Sequence, residues 1–502
     1  MPRHRPRAES RRMRASRFLR CAATLSALWL AGVAAAQDTA PTACRVKGLK
    51  HEVLCGHVTR ALDPAQPGGT TITVHYVVVP AAARHKRADP IFFFAGGPGQ
   101  SAIALAGSVL PLFQRLNNRR DLVFIDQRGT GRSAPLACDA EDELPLAQRF
   151  DAERGRQRLA ACLASLRKLP HGDLRQYTTS IAMADADAVR AALGASQINL
   201  VGGSYGTRAA LDYLRQFPSH VRRVVLDGVA PPDMGLPSSM GQDVEAALAR
   251  LFTDCEQEPG CQARHPRLRA HWQGLLSAAP RPASVVDPLD GRPATVRIDV
   301  DLLANAVRGP LYAPGLAAAL PFAIDEAVAG RYAALVGLAG VLGGGPRTTR
   351  LFEGLHFSVV CAEDAPDAAA PSPSGLGAVY LRPYAALCRD WPRGSVPPAF
   401  RDLPTSPVPV LAFSGTLDPV TPPRHGERVV KALGPRARHV VVPNAGHGVM
   451  AIGCTRELLY RFIDVDDEAL ALAVDAGCLA HLPRPPAFEP PRPGPSPAGA
   501  AR

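Results

Sequence analysis

The residue of this chain best placed for nucleophilic chemistry is a serine between a strand and a helix. The apolar run Ile198-Asn199-Leu200-Val201 reads as a buried strand, Gly202-Gly203-Ser204-Tyr205-Gly206 as a sharp turn, and Thr207 to Phe217 as the helix that leaves it. Small residues two before and two after Ser204 are what such a turn demands, because it forces neighbouring backbones into close contact and strained dihedrals. The hydroxyl is then held clear of the sheet. A Gly-x-Ser-x-Gly pattern also occurs in ordinary glycine-rich turns, so the flanking strand and helix are what tie it to chemistry. A serine hydroxyl is a weak nucleophile until a neutral imidazole takes its proton, and a carboxylate must hold that imidazole in the right tautomer.

Both partners are present downstream. Val408-Pro409-Val410-Leu411-Ala412-Phe413 reads as a buried strand running into Ser414-Gly415-Thr416-Leu417-Asp418, which puts Asp418 just past the strand end. His439-Val440-Val441-Val442 leads likewise to Asn444-Ala445-Gly446-His447-Gly448. The chain order Ser204, Asp418, His447 is that expected of an α/β-hydrolase, where loops at one edge of a parallel sheet bring distant residues together. Asp227, at the end of the strand after the serine's helix, is a rival for the acid. Asp418 is preferred, with Asp227 read as tying its strand end to neighbouring backbone amides.

An oxyanion hole is legible as well. One donor is expected from the backbone N–H of Tyr205, the residue after the serine, and the other from a loop following an earlier strand. Ile91-Phe92-Phe93-Phe94-Ala95 is that strand and Gly96-Gly97-Pro98-Gly99-Gln100-Ser101 the loop, with Gly97 as the donor. A further strand ends in Asp126-Gln127-Arg128-Gly129-Thr130-Gly131-Arg132-Ser133, read as a tight structural loop with Asp126 and Arg128 in ion pairs.

Together these motifs resemble the secreted tripeptidyl-aminopeptidase branch of the prolyl and tripeptidyl aminopeptidase family of α/β-hydrolases. The resemblance runs from about Cys44 to about Cys478. It implies a serine peptidase that removes residues from free N-termini. One departure stands out: intracellular prolyl aminopeptidases usually carry His before the Gly-Gly-Pro-Gly loop, and here that residue is Ala95, which weakens the transfer of strict proline specificity. Similar enzymes use acids in a helical lid to hold the substrate's ammonium group. Glu363, in His356-Phe357-Ser358-Val359-Val360-Cys361-Ala362-Glu363-Asp364, is the candidate substrate-binding residue here. The other reading is that Glu363 and Asp364 cap a helix or face water.

The elements that must position these residues follow the same plan. Strands are read at 71–79, 91–95, 122–125, 198–201, 224–227, 408–413 and 439–442, with helices in most gaps. That is a mostly parallel sheet covered by helices on both faces. The fold expectation is therefore an α/β-hydrolase core made of residues 37–230 and 408–482, with a large helical lid at 231–407. Only helical patterns are read in the lid, at 242–252, 300–307, 317–328, 331–341 and 378–388, around a proline-rich loop at 364–374. A lid of that size would exclude water and restrict access, favouring the end of a chain over an internal segment as substrate. Residues 483–502, dense in Pro, Gly and Ala, are expected to be a disordered tail.

Residues 1–36 read as a secretory signal, with eight Arg before the apolar run 21–35 and Ala34-Ala35-Ala36 as a cleavage site. The run is too short for a comfortable membrane span. Without these residues the formal charge falls from +12 to +5, and no basic stretch is interleaved with aromatics. A nucleic-acid partner and a stable membrane anchor are thus not expected. Removing Cys21 leaves an even set of cysteines in sequence-local couples: Cys44 with Cys55, Cys138 with Cys162, Cys255 with Cys261, Cys361 with Cys388, and Cys454 with Cys478. Disulfides in that order, no metal site and no cofactor are expected, in the periplasm or outside the cell. The functional expectation is an exported serine aminopeptidase acting on short peptides through Ser204, Asp418 and His447. The alternatives are a carboxylesterase or other small-molecule hydrolase with the same triad, and a hydrolase fold used only for binding, against which the complete triad argues. The oligomeric state is left open.

Overall fold

A computed structural model describes residues 40–139, 144–287, 290–340, 351–364 and 375–490. The expected signal at 1–36, most of the proline-rich loop, and residues 491–502 of the expected tail lie outside them. The strands are β1 (Thr42–Cys44), β2 (Val53–Ala61), β3 (Thr71–Val79), β4 (Ile91–Phe94), β5 (Leu122–Ile125), β6 (Ile198–Gly203), β7 (Val221–Asp227), β8 (Arg281–Val286), β9 (Pro293–Ile298), β10 (Val410–Gly415) and β11 (Ala437–Val442). Nine of them form one sheet in the order β1-β2-β3-β5-β4-β6-β7-β10-β11. From β5 to β11 every pairing is parallel, whereas β1, β2 and β3 join antiparallel.

The central strands β4 and β5 are apolar without interruption because both their faces are covered. Successive side chains still alternate. Phe92, Phe94, Leu200, Val224, Leu226 and Ala412 pack into the core on one face, and Phe93, Val201, Val225, Leu411 and Phe413 into the core on the other. The strands therefore stop at a common edge, where β4, β6, β7, β10 and β11 each hand over to a loop.

A third apolar core belongs almost wholly to the inserted segment and is built around Val244, Leu303, Val307, Leu320, Ile324 and Leu335. It departs from the expected all-helical lid in containing an antiparallel hairpin, β8 with β9. Both strands are short and alternate buried with exposed residues, a period-two pattern spread over six residues each and masked by Pro282 and Pro293. The helix Glu353–Glu363 does not share this core. Its Leu355, Val359 and Cys361 pack with the central sheet's residues instead.

The first part of the expected disordered tail is docked. The backbone N–H of Phe488 donates to the Ala318 carbonyl at 2.8 Å, its ring meets Phe322 edge-on at 5.5 Å, and Arg484 pairs with Asp254. Apolar and charged anchors at Phe488 and Arg484 override the composition of the stretch. The five disulfides are those read from the cysteine couples: Cys44–Cys55, Cys138–Cys162, Cys255–Cys261, Cys361–Cys388 and Cys454–Cys478. No helix among the described residues is long and apolar enough to cross a membrane.

Candidate active site

Ser204 follows β6 and precedes the helix Tyr205–Gln216 with φ +56° and ψ −126°, a region that side-chain-bearing residues rarely occupy. The turn persists because its surroundings determine it. A Cβ on Gly202 would lie 2.2 Å from the Gly206 carbonyl oxygen, and one on Gly206 would lie 2.1 Å from that of Phe94. No larger residue fits either place. The Ser204 N–H donates to the Asp227 carbonyl at 2.8 Å, joining the turn to the end of β7.

Asp418 and His447 meet at that same edge. Asp418 Oδ2 lies 2.8 Å from His447 Nδ1 and accepts the Thr421 hydroxyl at 2.7 Å. Oδ1 accepts the backbone N–H groups of Val420 and Thr421, both at 2.9 Å. The acid side chain is fully buried and the imidazole 14% exposed. Burial pushes the Asp418 carboxyl up, but the imidazole charge and its hydrogen bond, with the two amides, hold it below the usual carboxylate range. Burial likewise lowers the His447 pKa, yet the charges of Asp418 and Asp227 and the hydrogen bond to Asp418 outweigh it and leave it raised. The ring packs edge-on against Tyr312 at 5.1 Å, and the His447 N–H donates to the Tyr312 carbonyl at 2.9 Å.

Asp227 takes the place expected of it. Its carboxylate receives the backbone N–H groups of Val449 at 2.9 Å and Met450 at 3.0 Å, and so fixes the loop carrying His447. Burial raises its pKa, with those two amides opposing the rise. The next residue, Gly228, touches the imidazole, since a Cβ there would be 3.1 Å from His447 Cε1.

The Gly-Pro loop after β4 lies over Ser204. A Cβ on Gly96 would come within 3.1 Å of Ser204 Cβ. Gly97 has φ +111° and precedes a cis peptide bond to Pro98. The N–H of Tyr205 opens its helix, where unpaired N–H groups and the helix dipole favour negative charge.

Two charged residues are placed differently from the sequence reading. Arg128 has the ion pair read for it, with Asp185 at 2.7 Å, whereas Asp126 and Glu363 differ. Asp126 is hydrogen-bonded by the Ser101 hydroxyl at 2.5 Å and by the amides of Ile103 and Arg132. Glu363 is not open to a ligand. Its side chain is wholly buried and accepts from Thr179 N–H at 2.7 Å and Thr179 Oγ1 at 2.9 Å, with the Arg208 guanidinium at 3.4 Å. Arg208 binds Asp364 as well, at 2.9 and 3.0 Å. Burial, reinforced by the Asp364 charge and opposed by Arg208, pushes the Glu363 carboxyl up to about 7. Through Thr179, whose hydroxyl is 2.6 Å from Tyr205 Oη, Glu363 braces the residue after the serine. Substrate ammonium would have to displace these partners, which removes the geometric basis for Glu363 as its anchor.

Thr421 and Tyr312 were not legible as site residues. Thr421 stands three residues after Asp418, a spacing at which a side-chain carboxylate and a following N–H close a local turn. Tyr312 had no local signal, because it comes from the insertion. Among the described residues no cluster of His, Cys, Asp and Glu has the arrangement of a metal site.

The sequence was also compared with known proteins. A family model described as alpha/beta hydrolase fold matches residues 89–309, and one described as TAP-like protein matches residues 373–465. The chain is 32% identical over 216 residues to a tripeptidyl aminopeptidase of Streptomyces lividans, covering 39% of each chain. It is 28% identical over 319 residues to the serine protease Hip1 of Mycobacterium tuberculosis strain H37Rv, covering 57% of this chain and 58% of that one. To carboxylesterase B of M. tuberculosis strain CDC 1551 it is 29% identical over 256 residues, covering 48% and 47%. The chain thus spans less than two thirds of the length of each of these relatives. The two models fall on the elements that carry Ser204 and Asp418, and the chain has the α/β-hydrolase fold, with a match to the TAP-like model over its C-terminal part.

Proposed function

We propose that this protein is an exported serine peptidase that cleaves short peptides near their free N-termini through an acyl-enzyme. The observation that carries the reading is the 2.8 Å contact between Asp418 Oδ2 and His447 Nδ1, at the sheet edge where Ser204 is presented on its strained turn. His447 takes the Ser204 proton as Oγ attacks the scissile carbonyl, and the tetrahedral oxyanion is held by the N–H groups of Tyr205 and Gly97. His447 then gives that proton to the departing amine as the C–N bond breaks. Water, activated by the same imidazole, hydrolyses the ester on Ser204 and releases the N-terminal fragment. Asp227 positions the His447 loop and takes no part in proton transfer.

The peptidase reading is supported by the relatives named tripeptidyl aminopeptidase and serine protease Hip1. A helical insertion that reaches His447 through Tyr312 also favours chain ends over internal segments. Export is supported by the five disulfides, which persist in oxidising compartments. The relative named carboxylesterase B favours a second reading, an esterase using the same triad. Free and N-acetylated peptide anilides assayed beside aryl esters separate the two: turnover of free-amine anilides alone supports the aminopeptidase, and turnover of esters alone replaces it. Ser204→Ala is expected to abolish both turnover and labelling by a fluorophosphonate, and undiminished labelling would refute the nucleophile.

A further inference from the structure

Among the described residues Arg120, Arg128, Arg208 and Arg223 are buried, and three of them meet carboxylates. Arg120 pairs with Asp89 and Asp464, Arg128 with Asp185, and Arg208 with Asp364. Arg223 donates to backbone carbonyls instead, and the partly buried Arg308, on the inserted helix Val300–Leu311, has no ion pair with a carboxylate among the described residues. Its surroundings are tyrosines: its guanidinium carbon lies 5.7 Å from the Tyr380 ring centre, and Tyr312 and Tyr384 are close enough to act on its charge. Its Nε is buried with no hydrogen-bond partner. Arginine cannot shed its proton in a protein, so this cation is permanent.

Its neighbours place it over the candidate active site. Tyr312 packs on the His447 ring at 5.1 Å. Tyr384 Oη lies 2.9 Å from His356 Nε2, and His356 Nδ1 lies 3.0 Å from the carbonyl oxygen of Pro98 in the Gly-Pro loop. Burial lowers the His356 pKa to about 4, so that ring is neutral and Arg308 is the lasting charge of the group. The tyrosines around the guanidinium thus reach the imidazole through Tyr312 and the loop over Ser204 through Tyr384 and His356. The acid expected to face substrate, Glu363, and its neighbour Asp364 are both held by Arg208.

We propose that Arg308 is a specificity-determining residue that binds a carboxylate of the peptide substrate by charge-assisted hydrogen bonds. The proposal rests on the serine-peptidase reading above. A carboxylate has two sources in a short peptide, the free C-terminus or an acidic side chain, and both offer the same planar pair of oxygens to the guanidinium.

The test uses the full enzyme and three alanine tetrapeptides: one with a free C-terminal acid, one with a C-terminal amide, and one amide in which an alanine is replaced by Glu. Product release is followed by mass spectrometry for wild type, Arg308→Gln and Arg308→Lys. The readout is the ratio of kcat/KM for each carboxylate peptide to that for the neutral amide within one variant, which cancels any general loss of active enzyme. In wild type at least one carboxylate peptide is expected to exceed the amide by roughly thirtyfold. Arg308→Gln should bring that ratio near one and Arg308→Lys should keep part of it. The favoured peptide identifies the source. A ratio near one in wild type, or one that survives in Arg308→Gln, overturns the proposal. Inhibition of p-nitrophenyl acetate hydrolysis by N-acetyl-trialanine and by its amide gives the same ratio without peptide cleavage. An enzyme that hydrolyses the ester but no peptide would therefore overturn the peptidase reading while the inhibition ratio still decides the role of Arg308.

Discussion

Replacing Asp418 by Asn separates the proposed catalytic acid from its neighbour Asp227. In the native structure Asp418 Oδ1 faces two backbone donors, Val420 and Thr421 N–H, while Oδ2 faces His447 Nδ1 and the Thr421 hydroxyl. An asparagine has one acceptor oxygen and one NH2 group, so its orientation is decided by these partners. Turning the NH2 toward the two amides would oppose donors to donors in a buried site, at a cost of about 1–3 kcal/mol for each unsatisfied group. The oxygen therefore stays on the amides and the NH2 points at His447 Nδ1. The imidazole can then meet it only as an acceptor at Nδ1, with its proton on Nε2. In that tautomer Nε2 cannot take the Ser204 proton. The expected loss in kcat is about ten-thousandfold, the size seen when a triad acid is amidated elsewhere, equivalent to about 5 kcal/mol of transition-state stabilisation. Asp227→Asn instead removes a charged acceptor from Val449 and Met450 N–H. It should lower stability by about 1–3 kcal/mol and change kcat by less than about tenfold. Both variants are to be assayed with the best substrate of the anilide and ester panel, with active sites counted by fluorophosphonate titration and stability read from urea unfolding. A loss below tenfold for Asp418→Asn, or the larger catalytic loss falling on Asp227→Asn, would refute the assignment.

The raised His447 pKa sets the pH dependence. Because the base must be neutral, kcat/KM is expected to rise with pH through a pKa above the ordinary histidine value of about 6.5, and in Asp418→Asn, where the raising charge is gone, that limb should move to lower pH. Glu363 carries the opposite consequence for stability: its folded carboxyl is pushed up to about 7, so the folded state binds the extra proton and stability falls as pH rises from about 4.5 to 7. Glu363→Gln should remove that slope, on the order of 3 kcal/mol over the interval, as read from urea midpoints at several pH values; an unchanged slope would show that Glu363 is not its source. Gly206→Ala would put a Cβ 2.1 Å from the Phe94 carbonyl oxygen, backbone against backbone, and is expected to lower stability by several kcal/mol or prevent folding; a variant with native stability would contradict the packing of the turn.

Much of this molecule is written locally. The strands β4, β6, β7, β10 and β11 were legible because uninterrupted apolar runs of buried parallel strands end in Gly- and Asp-rich loops. Ser204, Asp418 and His447 were legible because the turn chemistry around each is confined to a few neighbouring residues, and because the chain order at a parallel sheet edge leaves little choice of arrangement. The disulfides were legible because each joins cysteines at most 27 residues apart. The strands β8 and β9 escaped because a half-buried hairpin of two six-residue strands carrying prolines has no apolar run to announce it.

What the sequence by itself determined, then, is which residues stand at loops beyond strand ends, since that depends on short-range pattern and on the rule that buried backbone must be paired. What only the tertiary structure decided is which charges meet. Glu363 looked free for an ammonium and is taken up by Thr179 and Arg208, 184 and 155 residues away in the chain. Arg308 had no mark in the sequence, yet it stands near Tyr312, which packs on the imidazole, with no carboxylate paired to it among the described residues. Electrostatic partnership acts over a few ångströms of space and is blind to separation along the chain, so no local pattern can record it.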